Sequence, residues 1–411
     1  METRTIAQPD RHATALSMNH FPENETPEIE FLESALNGAV TQGASHIHIE
    51  PVDEDVVVRF RVGREYREFA KEPRDISVVM TRLRTLAGLS VVPPLGPEWG
   101  VIEFQNEGKT HRFGTQMLPS VTGEKAILQV LRETHVDPRR LDELGMLDDQ
   151  LATLKSALKR RSGLIVLCGP AGSGLDTTAY ASLLLIDRGA RSVATIERVA
   201  QGQVPGVHRM EAGDVDEKNA MLRALMRTDT DVVYVQDLTG VETTTLALSA
   251  AIEHQKLVIA SLHSSNAVAA VTHFVNLGIE PWLVGSGIAL IQAQRLLRCL
   301  CAECREHAVI LGTPTPDDQP GRNTPEPFAS HRAVGCDACH GLGYTDERVL
   351  VCESMPFSDH LQQLVTERAS ESELQAEAVQ ECMTTLRSMA LGLARKGVTT
   401  LNEVYLHTPP E

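Results

Sequence analysis

The residues at 164–178 read LIVLCGPAGSGLDTT and contain a glycine-rich loop with the length of a phosphate-binding P-loop. Apolar residues before the loop predict a buried parallel strand, and the periodic run after it predicts a helix. In such a frame the backbone N–H groups of the loop cradle phosphates at a helix N-terminus. The candidate nucleotide-contacting residues are therefore Gly169, Gly172, Ser173, Gly174, Thr177 and Thr178.

The two residues that carry the charge chemistry of a P-loop are absent. Leu175 replaces the expected lysine, and Asp176 replaces the expected serine or threonine. A carboxylate about 4 Å from a phosphate costs about 4 kcal/mol at an effective dielectric constant of about 20. Three interpretations remain: the backbone binds nucleotide weakly, the loop is a vestigial turn that only packs, or Asp176 holds Mg²⁺ directly.

Three further polar residues stand at the ends of predicted buried strands. Glu197 ends the strand at 192–197, Asp237 ends the one at 231–237 in the manner of a Walker B acid, and His263 follows the one at 257–262. Alternating strands and helices predict an α/β fold, in which ligands bind beyond the carboxyl ends of the strands. We expect these catalytic remnants near Gly169. The alternatives are a structural hydrogen bond for His263 and a cap or ion pair for Asp237.

Two C-x-x-C pairs supply the second candidate site, with ligands Cys301, Cys304, Cys336 and Cys339. Each pair presents two sulfur atoms to one ion, and two pairs make a closed, structural Cys₄ zinc site. The alternative is four free thiols.

Composition limits the classes of function. The 411 residues suffice for two or three domains, and 42% of them are hydrophobic. The formal net charge of −17 disfavours nucleic acid as a partner. The chain has no run of eighteen apolar residues and no apolar signal core near residue 1, which predicts a cytoplasmic protein.

Changes in residue pattern divide the chain into six predicted regions. These are a disordered tail at 1–26, an N-terminal α+β domain at 27–134, a linker at 135–142, an α/β core at 143–298, a zinc-binding subdomain at 299–345 that includes a Pro-rich loop at 313–327, and a helical C-terminal region at 346–411.

Several segments, taken in order, resemble the hexameric ATPases of type II secretion and type IV pilus assembly. They are GASHIHIEP (43–51), LPSVTGEK (118–125), GPAGSG (169–174), TIE (195–197), VPG (204–206), LRALMRTDTDVV (222–233), SLHSSNA (261–267), LGIEPWL (277–283), QRLLRCLCAEC (294–304) and GCDACHGLGY (335–344). The resemblance implies an ATP-binding RecA-like P-loop core and a PAS-like N-terminal domain whose arginines reach the nucleotide. It also implies a homo- or hetero-oligomeric ring that works on inner-membrane secretion or pilus platform proteins.

The chain departs from this family's pattern where charge is needed. The expected catalytic glutamate is Gln201, and the arginine of the Walker B segment is Thr239. Arginine positions of the first domain are occupied by Val101, Gly114 and Gln129.

These losses favour a pseudo-ATPase that scaffolds or regulates the machine, with an intact ATPase paralogue as a candidate partner. The alternative is a weakly active, metal-assisted ATPase that uses Asp176 and Glu197. A nucleic-acid module is disfavoured, since the chain is acidic and lacks a basic stripe interleaved with aromatic residues. The expected cofactor is structural Zn²⁺, and the binding of ATP with Mg²⁺ is left open.

Overall fold

The computed structural model describes residues 27–63, 65–73, 75–106, 108–131, 139–200, 204–310 and 328–410. These residues form two compact units, at 27–131 and 139–410. The predicted tail at 1–26, the Pro-rich loop at 313–327 and Gln201 lie outside the described residues.

Unit 1 is a six-stranded antiparallel sheet with two helices. Its elements are α1 (Pro27–Thr41), β1 (His46–Val52), β2 (Asp55–Val62), β3 (Glu65–Pro73), α2 (Ile76–Leu86), β4 (Glu98–Asn106), β5 (Lys109–Ser120) and β6 (Gly123–Leu131), and the strand order is β3-β2-β1-β6-β5-β4. Helix α1 forms because Ile29, Leu32 and Leu36 recur on one face, and that face is buried. Helix α2 begins where the Asp75 carboxylate accepts a hydrogen bond from the Ser77 N–H at 2.9 Å.

A buried arginine joins three parts of unit 1. The Arg84 side chain is 1% exposed, and its guanidinium pairs with Glu98 and, at 2.5 Å, with Glu124. It also donates to the Ser90 carbonyl at 2.7 Å. The loop after α2, the start of β4 and the β5–β6 hairpin therefore depend on one charge.

Unit 2 contains a seven-stranded sheet with the order β15-β12-β7-β11-β10-β8-β9. Its strands are β7 (Gly163–Cys168), β8 (Val193–Glu197), β9 (Val207–Glu211), β10 (Val232–Val235), β11 (Leu257–Leu262), β12 (Ile288–Leu300) and β15 (Tyr344–Pro356). All neighbours pair in parallel except β15, which pairs antiparallel with β12. The prediction of an α/β chain with a parallel sheet is confirmed.

Helices cover both faces of this sheet. They are α3 (Asp148–Leu158), α4 (Leu175–Leu185), α5 (Val215–Met226), α6 (Gly240–Ile252), α7 (Ala267–Asn276), α8 (Pro281–Gly287), α9 (Asp359–Thr366), α10 (Glu371–Gln380), α11 (Leu386–Arg395) and α12 (Leu401–His407). Helices α3 and α4 pack on the face of the sheet that carries Ile165 and Leu167. Helices α5 to α12 pack on the opposite face, with Leu164 and Val166. A separate hairpin, β13 (Glu306–Ile310) and β14 (Phe328–Arg332), adjoins the cysteine segment.

The structure corrects the prediction of a helical region from residue 346 onward. The residues up to Pro356 belong to β15, where Val351 and Cys352 are fully buried against β12. Helices begin only at Asp359. In the segment predicted as a linker, residues 141–143 form a 3₁₀ turn whose Leu141 is buried. No helix in the described ranges is both long enough and apolar enough to cross a bilayer.

We expect Arg84→Ala to destabilise unit 1 by about 3 kcal/mol, because it leaves two partly buried carboxylates without their cation. Arg67→Ala is the matched control, since the Arg67–Glu65 pair is more than half exposed on both sides and contributes little. Urea unfolding of the full chain, monitored by amide hydrogen exchange in residues 76–131, measures the loss of stability caused by each substitution. Equal effects of the two substitutions would contradict the role assigned to Arg84.

Candidate functional site

The carboxyl ends of four adjacent parallel strands meet at one edge of the unit 2 sheet. Gly169 follows β7, and its N–H donates to the Leu262 carbonyl of β11 at 3.1 Å. His263 follows β11, and its Nδ1–H donates a hydrogen bond to the Gly169 carbonyl oxygen at 3.1 Å. His263 therefore ties two strand ends together through the main chain.

The glycine loop is shaped by two left-handed residues and one close approach. Gly172 and Gly174 have φ angles of +79° and +85°, which glycine adopts without strain. A Cβ atom at Gly169 would lie 2.6 Å from the Gln294 carbonyl oxygen. The loop therefore requires glycine at the positions that the motif predicts.

Gln294 of β12 holds the loop from inside. Its side-chain amide donates to the Ser173 carbonyl at 2.9 Å, and its Oε1 accepts from the Thr178 hydroxyl at 3.0 Å. Ser173 and Thr178 are 3% and 1% exposed, so both candidate hydroxyls face the interior. Gly172 is exposed and Thr177 is half-buried. Sequence reasoning missed Gln294, because its partners lie more than a hundred residues away.

The Asp176 carboxylate is satisfied by the protein itself. Its Oδ1 accepts hydrogen bonds from the Tyr234 hydroxyl and from the Gln236 side-chain amide, both at 3.1 Å. Asp176 also stands in the first turn of α4, where the helix dipole favours a negative charge. Gln236 in turn accepts from the Arg198 N–H at 2.9 Å. The electropositive end of α4 is thus already occupied by an anion.

Glu197, at the end of β8, is fully buried. Its Oε2 accepts from the Tyr180 hydroxyl at 2.6 Å, and its Oε1 has no hydrogen-bond partner in the described part of the chain. Burial raises the pKa of Glu197 to about 7, and the nearby charge of Asp176 acts in the same direction. Near neutral pH this side chain is divided between its two protonation states.

Asp237 lies just beyond β10 in a left-handed turn with φ +62°. Its N–H donates to the Ser261 hydroxyl at 2.8 Å. The ammonium of Lys218 donates to the carbonyls of Gln236 and Asp237 at 2.8 and 2.9 Å, and burial lowers the pKa of Lys218. This ammonium therefore stabilises the turn rather than an open phosphate site.

Three residues at the expected arginine positions form one row in unit 1. Val101 of β4 pairs with Gly114 of β5, which pairs with Gln129 of β6. Residues in register on adjacent strands project to the same face of a sheet. None of the three is charged, so this part of the row offers no cation.

The four cysteines of the two C-x-x-C pairs come together in unit 2. Their sulfur atoms all lie within 4.8 Å of one another, and the closest pairs are 3.7, 3.8 and 3.9 Å apart. A ZnS₄ tetrahedron with bonds of about 2.3 Å has edges of about 3.8 Å. The cluster could therefore hold a metal ion, and its dimensions are consistent with Zn²⁺.

Backbone donors around the cluster favour thiolates. The N–H groups of Cys336 and Gly343 lie 3.2 and 3.1 Å from the Cys339 sulfur, and that of Gly335 lies 3.3 Å from the Cys304 sulfur. The Cys336 N–H is the main reason that the pKa of Cys339 falls to about 6, whereas burial raises the pKa of Cys304 to about 11 and the Gly335 N–H acts against that rise. The Gly335 and Gly343 donors follow from φ angles of +105° and +74°.

Comparison with known families and curated proteins gives one consistent result. A family model described as type II/IV secretion system protein matches residues 22–406. The type IV pilus assembly ATPase PilB of Myxococcus xanthus is 31% identical over 398 residues, which cover 94% of this chain and 69% of that protein. The type II secretion system ATPase E of Vibrio cholerae is 32% identical over 392 residues, which cover 93% and 75%.

Solved structures give the same fold at lower identity. The pilus retraction motor PilT with bound ADP has a TM-score of 0.63 at 20% identity, covering 92% of this chain and 97% of that one. The Legionella pneumophila ATPase DotB also has a TM-score of 0.63, at 14% identity, covering 95% and 97%.

We expect Glu197→Gln to stabilise the chain more at pH 8 than at pH 5. A carboxyl whose pKa is raised on folding favours the folded state below its unfolded pKa, and that contribution is lost as pH rises through the folded value. The variant should gain up to about 3 kcal/mol relative to the parent between about pH 4.5 and pH 7. Urea unfolding across this range measures the gain, with exposed Glu371→Gln as control. A difference in unfolding free energy between variant and parent that does not change with pH would contradict the raised pKa of buried Glu197.

Proposed function

The chain belongs to the type II/IV secretion system protein family, and we propose that it serves such a machine as a subunit that does not hydrolyse ATP. Its role would be scaffolding or regulation. The observation that supports this proposal most directly is the Asp176 carboxylate at the N-terminus of α4, held by Tyr234 and Gln236.

Nucleotide binding is opposed by this carboxylate in two ways. Phosphate groups bind a P-loop because the helix N-terminus and a lysine present positive charge. Asp176 repels such an anion, and its partners would lose their hydrogen bonds if it moved aside. Leu175 supplies no compensating charge, and its half-buried side chain packs against the core beneath α4.

Turnover is opposed by separate losses. Catalysis of phosphoryl transfer consists of positioning and charge neutralisation, and an arginine finger contributes on the order of 10³ to 10⁵ in rate. The row of Val101, Gly114 and Gln129 has no arginine. Thr239 stands at the start of α6 in place of the Walker B arginine, and Gln201 replaces the catalytic glutamate.

The proposal includes the architecture and partners that the family implies. Unit 2 would be a RecA-like core and unit 1 a PAS-like domain. The subunit would join a homo- or hetero-oligomeric ring, in which an intact ATPase paralogue is a candidate partner. It would work from the cytoplasm on inner-membrane platform proteins. No role on nucleic acid is proposed.

A weakly active, metal-assisted ATPase is the second candidate, and one observation favours it. Within the described ranges, Glu197 keeps one oxygen without a hydrogen-bond partner at the same edge of the sheet as Asp176, where a cation would be stabilised by both carboxylates. Against it, Asp176 Oδ1 already accepts two hydrogen bonds. To bind a metal ion, Glu197 would also have to lose its proton, and its burial disfavours the ionised form.

We expect the double variant Leu175→Lys/Asp176→Thr to bind ATP measurably while its hydrolysis stays near background. The added lysine and the removal of repulsion stabilise the ground state, whereas the other losses act on the transition state. Calorimetry gives the affinity, and phosphate release gives the turnover. Leu185→Lys/Asp187→Thr places the same residue types near the other end of α4 and serves as the control.

Two results would overturn this account. One is robust ATP turnover by the unmodified chain that Asp176→Ala abolishes, which would establish the metal-assisted enzyme. The other is failure of the double variant to bind ATP better than the control variant.

We further propose that the four-cysteine cluster holds one structural Zn²⁺. The sulfur separations match a tetrahedral ion, and Cys301 and Cys339 are only 4% and 5% exposed, which makes the site closed. The metal would supply a cross-link between two chain segments more than thirty residues apart.

We expect purified protein to contain about one equivalent of zinc, and Cys301→Ser to lose it together with stability of the segment around residues 301–343. Cys382→Ser, at an exposed position outside the cluster, is the control. Elemental analysis and thiol titration measure both. Protein free of metal, with all four thiols freely reactive while folded, would contradict the site.

A further inference from the structure

A cavity of about 350 Å³ opens at the rim of the unit 1 core, where α1, β5 and β6 meet. It is lined by Ala39 and Val40 at the end of α1, by the turn at 43–45, by His111 of β5, and by Val130 and Leu131 at the end of β6. We call this space the rim cavity. All of its lining residues belong to unit 1.

Main-chain hydrogen bonds hold the walls of the rim cavity in place. At the end of α1 the Gly43 N–H donates to the Val40 carbonyl at 3.2 Å, and the Ala44 N–H donates to the Ala39 carbonyl at 2.9 Å. Gly43 has a φ angle of +63°, which glycine adopts without strain. The Val130 N–H donates to the carbonyl of residue 45 at 3.0 Å and so connects β6 to this turn. The cavity is therefore preformed.

His111 brings an imidazole to the rim cavity. Residues two apart on a strand point to the same face of a sheet, so His111 lies on the core face of β5 with fully buried Phe113. His111 is only 9% exposed, and its ring has no hydrogen-bond partner among the described residues. A neutral imidazole carries one donor and one acceptor, and buried groups of this kind are normally paired. The ring is available to a ligand.

The rest of the lining favours a ligand without charge. The Ser45 hydroxyl is already engaged, because it donates to the Arg61 carbonyl at 3.2 Å and lies 3.1 Å from Nδ1 of His46. None of the described residues that line the cavity is an aspartate, glutamate, lysine or arginine. A charged ligand would lose hydration without gaining a counter-charge. The carboxyl end of α1, where the helix dipole is negative, also opposes an anion.

The volume of the rim cavity limits the size of the ligand. Pockets for small molecules span about 300 to 1,000 Å³ and are mostly apolar, with a few polar groups that fix orientation. An apolar cavity of about 150 Å³ is large enough for benzene. The rim cavity has more than twice that volume, which suits two fused rings.

We propose that the rim cavity binds a small, neutral, bicyclic aromatic molecule whose single N–H or O–H group forms a hydrogen bond with the His111 imidazole. The inference goes beyond the proposed function, because this site lies in unit 1 and uses neither the glycine loop nor the four cysteines. A ligand that binds only the folded chain stabilises unit 1 by mass action.

The test is calorimetric titration of the full chain with three probes. These are indole, indene, which has the same shape but no N–H group, and indole-3-carboxylate, which is charged. We expect saturable binding of indole, binding of indene that is about fivefold weaker, and no detectable binding of the carboxylate. Methyl NMR should show shifts at Val40 and Val130 on addition of indole, and none at Val235 in unit 2.

Substitutions assign the binding to the rim cavity. His111→Leu should give indole and indene equal affinities, because it removes the hydrogen bond and keeps an apolar side chain. Ala44→Leu fills the cavity and should abolish the binding of both probes. Val40→Phe is a second filling variant at a half-buried position. His208→Leu, at an exposed position of β9 in unit 2, is the matched control and should bind like the parent.

Three results would overturn the proposal. They are a parent chain that does not bind indole saturably, a His111→Leu variant that keeps the preference for indole over indene, and unchanged indole binding in both filling variants. Each of these measurements is made without nucleotide, so their outcome is separate from the test of Leu175→Lys/Asp176→Thr.

Discussion

The hydrogen bonds from Tyr234 and Gln236 to Asp176 are the interaction on which the rest of the site depends. They satisfy a carboxylate at the N-terminus of α4, and they connect that helix to the end of β10. Gln294 closes the loop from β12 in the same way, through Ser173 and Thr178. The glycine loop and the N-terminus of α4 are therefore held by side chains from the strand ends around them. The frame persists because it is part of the packed core.

The electrostatics of the sheet follow from this arrangement. Asp176, Glu197 and Asp237 place carboxyl groups along the carboxyl edge of the strands, and Asp176 stands where a phosphate-binding loop has a serine or threonine. The protein compensates locally: phenol hydroxyls donate to Asp176 and Glu197, and a raised pKa lets Glu197 keep a proton for much of the time. Lys218 faces this edge, yet its ammonium is committed to main-chain carbonyls. Among the described residues, the carboxylate of Asp176 and the ammonium of Lys218 are therefore already engaged by groups of the protein itself.

Local sequence predicts those parts of this structure that local chemistry determines. The apolar run before Gly169, the glycines with positive φ and the two C-x-x-C pairs can each be recognised from a few consecutive residues. The α/β class follows from the alternation of predicted strands and helices along the chain. The residues that complete the site do not. Tyr234 and Asp176 are 58 residues apart, and Gln294 and Thr178 are 116 apart, so only the pairing of strands brings them together. Strand β15 was missed for a related reason: its apolar centre is short, and its strand character depends on β12.

The arrangement also explains why the two P-loop replacements belong together. A lysine at position 175 would stand next to the Asp176 carboxylate in α4, and that negative charge would oppose the binding of a phosphate even with the lysine present. Conversely, a hydroxyl at position 176 without the lysine would leave Tyr234 and Gln236 without their acceptor, and the helix N-terminus without a charge partner. Each single reversion therefore meets an opposing cost, and we expect the effects of the two substitutions not to be additive, because the two positions are neighbours. The fold can persist with both replacements, because the packed core that supports it does not depend on the binding or hydrolysis of a nucleotide.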